Sequence, residues 1–175
     1  MRTSTKENIE TSFIKKTKAS PKLAVDKSTA TTVDYLNSLL ANEFSLFTKT
    51  LNYHWNITGP RFHSMHEFLD EQYHSLLEVV DEVAERIRQL DAFPNGTLKN
   101  FDKKSVLDNL NDSSPQTSTM ISDLVNDHET IDEQIKLILK SLEKNGDDPA
   151  TEDLLGGLSK KHEEMKWMLK SHLDS

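Results

Sequence analysis

Cysteine is absent from the 175 residues, which removes disulfide staples, thiolate metal sites and a cysteine nucleophile. Glycine and proline number only five each, so little interrupts the long periodic runs, and the composition points to an all-α chain. No stretch approaches the ~20 apolar residues of a membrane helix. No apolar run follows the N-terminus as a secretory signal would need, and Glu7, Glu10 and Asp26 count against an organellar transit peptide despite a basic start rich in Ser and Thr. Cytoplasmic residence is the expectation. An excess of positive charge is also lacking: the formal net charge is −8, so bulk composition does not mark a nucleic-acid binder. The length suffices for one domain with a sizeable core.

Against these absences, one stretch is dense in metal-binding chemistry. Residues 54–85 carry His54, His66, Asp70, Asp81 and Glu85, with no Pro or Gly between Arg61 and Leu90. One long helix over 61–90 is therefore predicted. His66 and Asp70 are four apart and share a helical face; Asp81 and Glu85 repeat the spacing eleven residues on, close to three whole turns. With His74, these residues fall within roughly a 100° arc. Beside it runs an apolar stripe of Met65, Leu69, Tyr73, Leu76, Val80, Val83, Ala84 and Ile87. Carboxylates bordering such a stripe sit where a second helix or subunit can cover them, and a covered carboxylate needs a partner such as a cation. Taken alone, they fit the rim of a bundle core equally well.

Length along the helix decides the architecture of any metal site. At about 1.5 Å per residue, His66 and Glu85 are roughly 28 Å apart and Asp70 and Asp81 roughly 16 Å. Metal–ligand bonds are only about 2.0–2.2 Å, so one straight helix cannot close the site. A second copy lying antiparallel across a two-fold axis can, and an isologous dimer would make two such sites. An intrachain di-iron site built on the Glu71–His74 pair is the weaker alternative, because the chain offers no second Glu-x-x-His unit.

The stretch YHWNITGPRFHSMHEFLDEQY, followed by DEVAERIRQL, resembles the Dps family (DNA-binding protein from starved cells). The family spacing of His, twelve to His, four to Asp, eleven to Asp and four to Glu is met by His54, His66, Asp70, Asp81 and Glu85. The resemblance spans roughly residues 28–175 and implies a ferritin-like four-helix bundle with a short extra helix between the second and third helices, packing at a dimer interface. It implies a homododecamer built from two-fold dimers, and ferroxidase sites in which His54, His66 and Asp70 come from one subunit and Asp81 and Glu85 from its mate. It further implies iron as the metal, hydrogen peroxide as the usual oxidant, ferric storage in the shell, and an accessory role for Trp55 in taking up oxidising equivalents. A nucleoid-compacting protein whose metal binding is incidental is the alternative from another class; a metal-free helical bundle is a third.

The rest of the chain fits four helices. Apolar periodicity predicts the first over 31–57, with His54 in its last turn and Gly59-Pro60 as the stop. Residues 91–115 read as a long connection holding a short helix at 104–110. The third helix is predicted over 118–144, including Leu137 in its apolar face, and the fourth over 149–173, including Trp167 and Met168. Gly156-Gly157 weakens the fourth locally and would permit a close helix contact. Acids cluster at the turn between the third and fourth helices. They suit a helix N-terminus; equally, the resemblance implies cation-drawing pores lined by Asp148 and Asp153, and by Glu143. Residues 1–27 hold Arg2, Lys6, Lys15, Lys16, Lys18, Lys22 and Lys27 against three acids, a net +4, leaving −12 for the remainder. A mobile tail is expected there, serving as a solubilising leader or as an arm for non-specific DNA contact.

Overall fold

The computed structural model describes residues 29–108, 116–145 and 148–173; the basic N-terminal segment with its seven cations lies outside them. Among the described residues five helices follow in order: α1 (Thr29–Asn56), α2 (Phe62–Gln89), α3 (Leu98–Lys104), α4 (Thr117–Asn145) and α5 (Pro149–Ser171). The fold is all-α, with the short α3 in the connection between two long helices, as the sequence led one to expect.

Cross-helix bonds fix the topology. Going up α1, Asn42 bonds Gln134, Lys49 pairs with Asp127 and Tyr53 bonds Asp123, so α1 and α4 run antiparallel. His128–His162 and Asp132–Ser159 give the same sense for α4 and α5. The turn after α1 is tight: Gly59 adopts φ +102°, a conformation that disfavours side chains, and its carbonyl receives the Phe62 amide. α2 therefore returns antiparallel to α1 and parallel to α4, so the connection from α2 to α4 is a long crossover that holds α3.

Each long helix buries a stripe of helical period. On α2 it runs through Met65, Leu69, Gln72, Leu76, Val79, Val83 and Ile87. Val79, rather than the expected Val80, sits at its centre, because a step of seven from Gln72 and four to Val83 holds the narrower line; Tyr73, Val80 and Ala84 flank it half-buried. Leu137 and Trp167 stand exposed, against expectation, one turn-quarter off the buried lines of α4 and α5.

The short helix lies at Leu98–Lys104 rather than 104–110. Its start is set by Thr97, whose hydroxyl accepts the Asn100 amide, and its anchor is Phe101, buried and stacked on Phe44 of α1 at 4.4 Å. α5 starts where expected: Asp148 caps it by accepting the Thr151 amide at 3.1 Å, with Pro149 in the first turn. A Cβ at Gly156 or Gly157 would meet nothing within 4 Å, so within the described residues of one chain these glycines make no close helix contact.

Inside the bundle lies a polar array. Glu43, wholly buried, receives His162 Nε2 at 2.9 Å, and His162 Nδ1 is 2.9 Å from His128 Nδ1. Burial, with His162 and Lys166 nearby, holds the His128 imidazole well below its usual pKa, so it is neutral. Of the two facing Nδ1 atoms one donates and the other accepts, and His162 Nε2 reaches the Glu43 carboxyl. Glu43 Oε2 has no partner among the described residues. Elsewhere in the array Lys49 pairs with Asp127 at 2.6 Å, both buried. Burial raises the Asp127 carboxyl to about 6, with the Lys49 charge opposing it and Asp123 and Asp108 adding to it. Tyr53, pushed upward by burial and then by Asp123, donates to that carboxylate at 2.9 Å.

Candidate metal centre

The end of α1 and the start of α2 face each other across the Gly59 turn, which brings His54 and His66 together. Their rings stack with centroids 3.8 Å apart and planes 21° from parallel. His54 Nδ1 lies 2.9 Å from the carbonyl of His66, and His66 Nδ1 lies 3.0 Å from the carbonyl of His54. A carbonyl only accepts, so both Nδ1 atoms carry a proton, and in the neutral imidazoles both Nε2 atoms keep a lone pair. Orienting an imidazole through its other nitrogen in this way is how metal-binding histidines are prepared. Phe62 stacks on the outer side of His66 at 5.1 Å.

Asp70, one turn beyond His66, completes the group. Its Oδ1 is 3.8 Å from His54 Nε2, too long for a hydrogen bond. Two donors each about 2.0–2.2 Å from one ion lie no more than about 4.4 Å apart, so this gap suits a shared cation. Tyr73 donates to the same Oδ1 at 2.8 Å, and Oδ2 is 3.4 Å from His74 Nδ1.

Asp81 and Glu85 lie further along α2, exposed and without a hydrogen bond or ion pair among the described residues. They are remote from Asp70 by roughly 16 and 22 Å along the axis. Among the described residues, no group of three His, Asp or Glu side chains gathers tightly enough to hold a metal ion by itself. One chain therefore presents two open clusters at the two ends of α2: His66 and Asp70 with His54 of α1, and two bare carboxylates.

The family model for the ferritin-like domain matches residues 33–175. An uncharacterized low temperature-induced protein of Nostoc sp. is 36% identical over 145 residues, covering 81% of this chain and 79% of its own. DNA protection during starvation protein 2 of Bacillus anthracis is 32% identical over 143 residues, covering 81% and 96%. The chain belongs to the Dps family of ferritin-like proteins. Among solved structures, the Dps protein of Vibrio cholerae, described as a member of a broad superfamily of ferritin-like diiron-carboxylate proteins, superposes with a TM-score of 0.79 at 29% identity, covering 88% of this chain and 99% of that one.

The other residues singled out in the sequence of this Dps-family chain take varied positions. Trp55 is 66% exposed beside His54. His63 is exposed and lies 3.5 Å from Glu67. His74 donates Nδ1–H to the Asp70 carbonyl at 2.9 Å and leaves Nε2 outward. Asp148 is engaged within the chain: Arg86 reaches it at 2.7 Å and Thr151 at 2.6 Å. Burial works against its ionisation, but these bonds and the Arg86 charge outweigh it and hold the carboxyl low. Glu143 and Asp153 are exposed. Among the described residues, no helix is long and apolar enough to cross a membrane. Tyr73, read from the sequence as part of the apolar stripe, instead reaches Asp70. Its position three residues after that acid, on the same helical face, is the signal that points to the contact.

Proposed function

We propose that the protein oxidises Fe(II), preferably with hydrogen peroxide, at centres shared between two subunits, and stores the ferric product in a dodecameric shell in the cytoplasm, sparing DNA from peroxide and iron. The observation that carries this reading is the reciprocal clamp of His54 and His66, which leaves both Nε2 lone pairs available beside Asp70. An antiparallel partner supplies the missing half. Pairing residue 66 with 85, and 70 with 81, gives both pairs one midpoint between Ser75 and Leu76, so a single two-fold axis serves both. Exposed Leu77 lies near that midpoint and gives the face an apolar contact. Family membership supports the closed shell.

Imidazole suits iron, and carboxylates favour the harder Fe(III). Two Fe(II) ions supply the two electrons that split the O–O bond of one peroxide into hydroxide. With two further waters, the products are two ferric oxyhydroxide units and four protons. Taking both electrons together avoids release of hydroxyl radical. His54 and His66 hold the metal, and Asp70 with the partner subunit's Asp81 and Glu85 offsets its charge.

Mixed assembly tests the shared centre. His66→Ala with Asp70→Ala should abolish rapid peroxide-driven oxidation, and Glu85→Ala should do the same, with shells intact by light scattering. Shells reassembled from both variants should regain part of the activity, because some dimers then hold one complete centre. Full activity in both separate variants would place the chemistry elsewhere.

A further inference from the structure

Tyr73 touches two of the three half-site ligands at once. Its hydroxyl donates to Asp70 Oδ1 at 2.8 Å, and its ring meets His54 edge-on with centroids 5.2 Å apart. On its other side Phe47 meets the same ring at 6.3 Å and 62°. The tyrosine is thus wedged between α1 and its own helix, with little rotational freedom left to lose. Asp70 is different: nearly half of its side chain is exposed, and a carboxylate in that setting would turn among rotamers, with an entropy cost on ligation. The oxygen that Tyr73 holds is the one that faces His54 Nε2 across the 3.8 Å gap.

We propose that Tyr73 is a positioning residue of the iron half-site: its hydroxyl holds Asp70 with Oδ1 aimed at the ion, and its ring fixes His54 from the side. This rests on the reading of His54, His66 and Asp70 as iron ligands, and it adds a division of labour. The phenol acts before the metal arrives. Once iron is bound, the metal itself holds Asp70, so the hydroxyl contributes to capture rather than to the oxidation step. Its loss should therefore raise KM for Fe(II) and leave kcat nearly unchanged. Partners that orient metal ligands typically contribute about 10–100-fold in affinity.

The test compares Tyr73→Phe, Tyr73→Leu and Asp70→Asn in the assembled protein, using Co(II) titration followed by visible absorption, and initial rates of Fe(II) oxidation. Tyr73→Phe keeps the ring and removes only the hydroxyl. It should weaken Co(II) binding about tenfold, raise KM for Fe(II) by the same factor, keep kcat within about twofold, and leave thermal unfolding unmoved. Tyr73→Leu, which also frees His54, should weaken Co(II) further. Parent-like Co(II) affinity in Tyr73→Phe, with loss in Asp70→Asn, would overturn the positioning role alone. Parent-like affinity in Asp70→Asn as well would overturn the half-site reading and the role of Tyr73 with it. A fall in kcat at unchanged affinity would also overturn the proposal, because it would put the hydroxyl in the oxidation step.

Discussion

The molecule keeps two sets of ionisable groups, and they are finished to different degrees. In the bundle interior Glu43, His162, His128, Lys49 and Asp127 find partners on other helices of the same chain, with one Glu43 oxygen left over. On the outer side of the bundle, His66 and Asp70 of α2 stand with His54 of α1 at one end of α2, and Asp81 and Glu85 stand bare at the other. A buried charge must be compensated within the fold. An array of ligand-type groups at the surface, of which only His54 is buried, costs the fold little and is available to an ion and a second subunit. The interior set should therefore govern stability, and the outer set activity.

The largest expected effect sets the two directly against each other. Lys49→Met leaves Asp127 buried without its cation and should cost about 3 kcal/mol, read as a lower midpoint in denaturant unfolding. The loss should grow from pH 5 to pH 8, because the raised Asp127 carboxyl sheds its proton near 6. Asp81→Asn with Glu85→Gln should cost less than about 0.5 kcal/mol while stopping iron oxidation. A reversal of these outcomes would break the distinction.

A smaller effect concerns acid. His128 is held neutral in the folded state well below its usual value of 6.5, so the unfolded chain binds the extra proton first. Its contribution is complete above 6.5 and is lost as pH falls, at up to about 1.4 kcal/mol per pH unit until its depressed pKa is reached. His128→Gln should flatten that acid limb in thermal melts from pH 7.5 to 5, at some cost in stability at neutral pH. Glu43, His162 and Lys166 face this site and stay in place in the variant. Asp127 acts oppositely, favouring the folded state as pH drops from about 6 towards 4, so the flattening is read as a difference between parent and variant.

The smallest effects fall at the turn before α5. Asp148→Asn should reduce stability by no more than about 1 kcal/mol, because asparagine still caps a helix while the Arg86 ion pair is lost. Asp153→Asn should instead slow iron uptake at low salt and leave it unchanged at high salt, where screening acts over less than about 8 Å. Equal uptake rates for Asp153→Asn and parent at low salt would remove the steering role.

How legible all this was depends on which constraint acts locally. His66 and Asp70 were readable as neighbours from helical spacing, whereas His54 entered through the family spacing, and the Gly59 turn is what brings it to them. The short helix was misplaced because its position depends on Thr97 as cap and on Phe101 finding Phe44 across the crossover, neither of which is periodic. The interior array escaped notice although it left a trace. His162 falls in the buried run Leu155, Leu158, Met165, Leu169, and Glu43 lies between Leu36 and Thr50 on the core face of α1. A charge at a core position signals a partner elsewhere, but only the packing shows which helix provides it.

The crossed bonds between His54 and His66 make ligand geometry and helix pairing one quantity. Each imidazole spends its Nδ1 proton on the other helix's backbone, so α1 and α2 cannot part at this end without both Nε2 atoms losing their aim. By thermodynamic linkage, an ion captured there binds the closed pairing and not the frayed one, and so tightens the very turn that built the site. Iron loading would then act as a cross-brace, and local fraying at Gly59 would act as the release.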